Sequence, residues 1–200
     1  MTGRRAVGVV LAAGAGSRFG KAKGLVRADD GVPWVQLACR ALVDGGCAEV
    51  VVVLGAQAEE AEEAEALVPA RATVVVAAEW ASGISASLRT GLAAAGETEA
   101  DAVVVSLVDL PGLRAAAVRR VLDRAEDPLR RALARATYGG KPGHPVLIGR
   151  AHWSTLAAVV HGDTGAGPYL RAHGAAAVDC TDLGGGDDVD HRIDHRTDHR

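Results

Sequence analysis

Aromatic residues are nearly absent from this chain, which has one Phe, two Tyr and three Trp among its 200 residues. A core must therefore be packed from small aliphatic side chains, and with 48% of residues hydrophobic there are enough of them, chiefly Ala, Val and Leu. Cysteine is also scarce. Cys39, Cys47 and Cys180 are odd in number, far apart and without a C-x-x-C, which suggests neither a disulfide framework nor a zinc site. They read as small buried hydrophobes of a reducing cytoplasm. Positive charge is not in excess: the formal net charge of -3 leaves no electrostatic footprint for polymeric nucleic acid. No apolar run approaches the roughly 18 to 20 residues of a membrane span. The arginines at the start lead directly into a segment broken by glycine, unlike a signal peptide. The expectation is a soluble cytoplasmic protein with small-molecule partners, no nucleic acid and no membrane.

What is present is an alternation of strand and helix. Val7 to Leu11, Glu49 to Leu54, Thr73 to Ala78 and Ala102 to Leu107 are short, apolar and rich in β-branched residues, as strands buried on both faces are. Between them fall helical patterns: one opened by Pro33 and ended by Gly45 and Gly46, an acidic one over Gln57 to Leu67, then Ser87 to Ala95 and Leu113 to Ala125. Beyond Arg130 the pattern loosens into a strand at Leu133 to Thr137, a glycine loop, a strand at Pro145 to Ile148, a helix at Ala151 to Val160 and a short strand near Ala175 to Val178. This order predicts an α/β fold of three layers, Rossmann-like, with a mostly parallel mixed sheet. Ligands of such sheets sit beyond the carboxyl ends of the strands. With no linker or repeat before the end, residues 1–190 read as one domain and 191–200, which carry on from Asp190 as a run of DHR triplets, as a low-complexity tail.

The residue types that follow the first strand are unusual. Ala12, Ala13, Gly14, Ala15, Gly16 and Ser17 have almost no side chains, so their backbone N–H groups can approach an anion closely, and Arg18, Lys21 and Lys23 follow at once. The spacing is neither that of a P-loop nor that of the dinucleotide fingerprint; by glycine alone, a plain turn between strand and helix fits as well. The whole string LAAGAGSRFGKAK, however, resembles the signature of the MobA-like nucleotidyltransferases. The resemblance implies a GT-A-like nucleotidyltransferase fold, with Leu11, Ala12, Ala13, Gly14, Gly16 and Ser17 holding a nucleotide and Arg18 and Lys23 stabilising charge on its phosphates.

Further segments carry the same resemblance. Asp109, just past the fourth strand and before Pro111, could be a helix N-cap, since Asp is a common one. It also matches the family's D-x-P, which implies a ligand of Mg²⁺. Trp80 to Leu88 is similar to the W-x-x-G-[IM]-x-x-S-L element of the molybdenum cofactor cytidylyltransferase branch. That implies nucleotide contact by Gly83 and Ser87, where the local reading is a loop tryptophan and a helix capped by Ser85 or Ser87. Gly143, His144 and Pro145 look like the branch's G-H-P on the acceptor side, and Gly162 to Ala166 like its G-D-x-G-A, in which Asp163 forms a turn or touches substrate.

Near the end, Asp188, Asp190 and Asp194 keep the carboxylate spacing of the family's D-x-D segment, and the likeness makes Asp188 and Asp190 metal ligands; His191, Arg192 and Ile193 depart from it. The activity implied is transfer of CMP from CTP to molybdopterin with release of pyrophosphate, using Mg²⁺, with a molybdoenzyme or its chaperone as a possible protein partner. Open beside it are transfer to another phosphorylated acceptor, such as a sugar phosphate or phospholactate, and a nucleotide-binding assembly factor without catalysis.

Overall fold

A computed structural model describes residues 4–13, 25–55 and 66–189. Its elements are β1 (Ala6–Leu11), α1 (Trp34–Asp44), β2 (Val50–Leu54), β3 (Ala72–Val76), α2 (Ile84–Gly96), β4 (Ala102–Leu107), α3 (Ala115–Arg124), β5 (Leu133–Tyr138), β6 (Lys141–Gly149), α4 (Trp153–Val159), α5 (Gly167–Ala172) and β7 (Ala176–Asp179). The seven strands form one sheet in the order β3-β2-β1-β4-β6-β5-β7. Only β6 runs against the others, pairing antiparallel with both β4 and β5. The mostly parallel mixed sheet expected from the sequence is the one observed.

Two apolar layers account for the strand composition. Ala6 and Val10 of β1 face a cluster built with α1 and α3, while Val7, Val9 and Leu11 face a second one built with α2, α4 and α5. Strand residues alternate between faces, so a strand covered on both sides must be apolar at every position; all of β1 and β2 is buried accordingly. β3, at the sheet edge, is only partly covered. The strand order reverses at β1, whose neighbours are β2 on one side and β4 on the other. The crevice beyond the ends of β1 and β4 is the topological switch point where open α/β sheets bind ligands.

Most of the acidic helix expected over Gln57 to Leu67 lies outside the described residues; elsewhere three elements differ from the sequence reading. β6 begins at Lys141, not Pro145, so Gly143, His144 and Pro145 lie in a strand and not in a loop. Prolines argue against a strand, but β4 pairs only with Val146 to Gly149, leaving Lys141 to Pro145 a partner on one side alone, where proline is tolerated. Helix α5 was not expected, and proline within its first turn suits a helix start. Helix α2 starts three residues earlier than expected, and its N-cap is Gly83. Among the described residues, no helix is long and apolar enough to cross a membrane.

The three cysteines are free and buried, and burial pushes the thiols of Cys39 and Cys47 up to about 12. Thiolate is the reactive form, so the native protein should leave both unmodified by a thiol-specific disulfide reagent at pH 8. Stoichiometric labelling of Cys39 and Cys47 should appear only in denaturant, as peptide mapping would read.

Candidate active site

Leu11 and Leu107 lie side by side at the ends of β1 and β4. The Val108 N–H donates to the Leu11 carbonyl at 3.2 Å and the Ala12 N–H to the Val53 carbonyl at 2.8 Å, so the chain leaving β1 is fixed between both neighbours. A cavity of about 350 Å³ opens there, lined by Leu11, Ala13, Trp80, Gly83, Ser87, Asp109 and Asp163 among others. Five sequence-predicted residues, Leu11, Ala13, Gly83, Ser87 and Asp109, are thus brought to one cavity; Ala12 lies buried between two of them. Gly14, Gly16, Ser17, Arg18 and Lys23 lie outside the described residues.

Asp109 is half-buried, two residues past β4. It does not cap the next helix, because that helix begins at Ala115 with Arg114 at the N-cap position. The alternative reading of Asp109 as a cap is therefore corrected.

Two segments singled out separately in the sequence meet here. Gly83, at φ 111°, would place any Cβ 2.3 Å from the Gly162 carbonyl carbon, and the Ser85 N–H donates to the Gly162 carbonyl at 3.1 Å. Only glycine permits that approach. The contact holds Asp163 at the edge of the cavity. Ser85 and Ser87 sit inside α2, fully or almost fully buried, and neither caps it, which corrects the local reading of the segment.

A second cavity of about 400 Å³ adjoins the first, and the two share Leu11, Ile84, Leu107 and Asp163. Its walls are mainly apolar, with Val105, Val146, Ile148 and Leu170, but Arg135 and His144 also face it. Burial, and secondarily the Arg135 charge, push the His144 imidazole down to about 4, so it is neutral at pH 7. Its backbone carbonyl accepts the Tyr138 hydroxyl at 2.9 Å, and Arg135 Nε donates to the Gly143 carbonyl at 3.1 Å. Of Gly143, His144 and Pro145, only His144 lines the cavity. Arg135 was missed in the sequence, although one cation in the otherwise small, neutral run LARATY is a readable oddity.

The end of the described chain returns to the first cavity. Gly185, at φ 78°, packs against the Gly112 backbone too closely for any side chain, and the Val189 N–H donates to the Asp109 carbonyl at 3.0 Å. Asp188, next to Val189 in the chain, is exposed to solvent. Asp190 lies outside the described residues.

Comparison with known proteins shows the family. The model of the MobA-like NTP transferase domain matches residues 8–177. The chain belongs to the MobA-like NTP transferase family. Nicotine blue oxidoreductase of Paenarthrobacter nicotinovorans is 37% identical over 192 residues, covering 92% of this chain and 91% of that protein. The crystal structure of Rv0371c from Mycobacterium tuberculosis H37Rv superposes with a TM-score of 0.71 at 28% identity, over 90% and 89% of the two chains; Rv0371c is also known in complex with manganese. A Methanothermobacter nucleotidyl transferase gives a TM-score of 0.75 at 23% identity, over 94% and 93%, a likeness of fold.

Does this cleft suit a divalent cation? Among the described residues, no set of three His, Cys, Asp or Glu side chains could enclose one. Mg²⁺ does not require such a cage, because it is commonly held by one or two carboxylates with substrate phosphates and water completing its shell. Asp109, a hard oxygen donor beside the cavity, fits that role.

Proposed function

We propose that the chain is a Mg²⁺-dependent nucleotidyltransferase that joins CMP from CTP to molybdopterin and releases pyrophosphate. The observation that carries this reading is the pair of adjoining cavities. One lies at the sheet's switch point beside Asp109, the other is apolar with Arg135 and His144, and they meet at Leu11, Leu107 and Asp163. A transfer between two bound substrates needs two compartments that open onto one point.

In this reading the backbone of Leu11, Ala12, Ala13 and Gly14, with Gly16 and Ser17, holds the nucleotide. Gly83 and Ser87 border its base or ribose. Arg18 and Lys23 stabilise charge on the α-phosphate and on the departing pyrophosphate. Asp109, with Asp190 or Asp188, holds Mg²⁺, which when bound neutralises phosphate charge; the manganese complex of Rv0371c supports a divalent ion. An oxygen of the acceptor phosphate forms a bond to the α-phosphorus while the bond from that phosphorus to the pyrophosphate oxygen breaks. The acceptor is already anionic, so no side chain need remove a proton, and the protein's work is positioning. Gly143, His144 and Pro145 belong to the acceptor side, with His144 meeting it as a neutral imidazole. A molybdoenzyme or its chaperone would receive the product.

One relative favours a second reading. A protein 37% identical is named as an oxidoreductase of nicotine blue, and family membership does not fix a substrate. In that reading the apolar cavity takes nicotine blue for reduction by a nicotinamide cofactor. One experiment separates the two: pyrophosphate release with Mg²⁺ and each of CTP, GTP, ATP and UTP, with and without molybdopterin, run beside NADH and NADPH oxidation with nicotine blue. Release with CTP that depends on molybdopterin supports the proposal. Cofactor oxidation without pyrophosphate release supports the second reading and sinks the first.

A further inference from the structure

The apolar cavity is lined by one arginine, Arg135, and at its Gly167 edge a second, Arg171, stands outside the lining and exposed. Arg135 of β5 and Arg171 of α5 both reach Gly167, with each Nη1 atom 3.7 Å from the point a Cβ there would occupy, so the two are no more than about 7.4 Å apart. A carboxylate or phosphate between them could take a charge-assisted bond of about 2.8 Å from each. Among the described residues, neither arginine forms an ion pair. Burial and, second to it, the Arg171 charge disfavour the charged form of Arg135.

The location separates this charge from the reacting centre. Arg135 is in register with Val146, and Val146 with Val105 of β4. It is thus two strand spacings, about 9.5 Å, from β4, whereas Asp109 lies four residues beyond Val105. Arg135 and Gly167 line the apolar cavity only, and Asp109 the other only.

We propose that Arg135 and Arg171 form a clamp for a second anionic group of the acceptor, remote from the phosphate that reacts. The acceptor then carries two anionic groups, the phosphate that reacts and another at its far end. The inference rests on the transferase reading only in calling this molecule the acceptor.

Binding to the full chain tests it without any turnover. Isothermal titration would compare 1-naphthoate, 1-naphthyl phosphate and uncharged 1-naphthol, with and without saturating Mg²⁺ and CTP, for the wild type, Arg135→Met and Arg171→Met. A charge-assisted hydrogen bond is worth at least tenfold. Either or both anions should bind at least tenfold tighter than naphthol, Mg²⁺ and CTP should not displace them, and each substitution should remove most of the preference while leaving CTP binding unchanged. Naphthoate and naphthyl phosphate together show whether the clamp reads carboxylate or phosphate. Equal binding of all three probes, a preference that survives both substitutions, or displacement by Mg²⁺ and CTP would overturn the clamp. Arg171 is exposed, so its variant should fold even if the Arg135 variant does not. Absence of pyrophosphate release with the clamp intact would instead remove the transferase reading alone.

Discussion

Asp109→Asn should lower the rate of pyrophosphate release by at least about 10²- to 10³-fold while the fold is kept. The change removes one negative charge and almost no volume at a half-buried position beside the nucleotide cavity. The link to the returning chain end survives, because Val189 bonds the Asp109 backbone carbonyl and not its side chain. Steady-state kinetics at saturating CTP, with circular dichroism as a check on folding, would measure it. A variant within threefold of the wild type would show that Asp109 holds nothing the reaction needs.

The second large effect is on stability as pH falls. His144 is held near 4 in the folded protein against its ordinary 6.5, by burial first and Arg135 second. The folded pKa is depressed, so between these values the unfolded chain binds a proton that the folded chain refuses. Stability from this group is therefore complete above about pH 6.5 and declines as the pH drops toward 4. By pH 4.5 the loss from this one residue should be on the order of 2.5 kcal/mol. Urea unfolding of wild type and His144→Gln at pH 7.5 and 4.5 isolates it, because other titrating groups are common to both proteins. The wild type should lose about that much more than the variant. Equal losses would mean that His144 is protonated in the folded state.

The architecture was readable because the first four strands are short, nearly continuous apolar runs, broken only by Thr73 in β3 and Ser106 in β4, as suits a sheet covered on both faces. Asp109 was readable for a local reason: a carboxylate directly after a buried strand stands at the ligand end of an α/β sheet. Gly83 and Asp163 were visible as separate segments but not as neighbours, since their contact joins residues far apart in sequence through the bare backbone of Gly162. Arg135 was hidden for the same reason. Its meaning depends on Arg171, on another element, and both become informative only where they converge at Gly167. The extent of β6 was misjudged because proline normally ends strands, and nothing local to Pro142 or Pro145 reveals that β4 stops pairing before reaching them. The most distinctive string of all, Gly14 to Lys23, lies outside the described residues, so its roles rest on resemblance.

The most direct measurement is whether CMP becomes covalently joined to the acceptor. Purified protein incubated with Mg²⁺, α-³²P-labelled CTP and molybdopterin should yield labelled molybdopterin whose mass has increased by one CMP residue, with one pyrophosphate released for each acceptor modified. Unlabelled molybdopterin after complete incubation, with CTP intact, would contradict nucleotidyl transfer to this acceptor and return the two cavities to the reductase reading or to other phosphorylated acceptors.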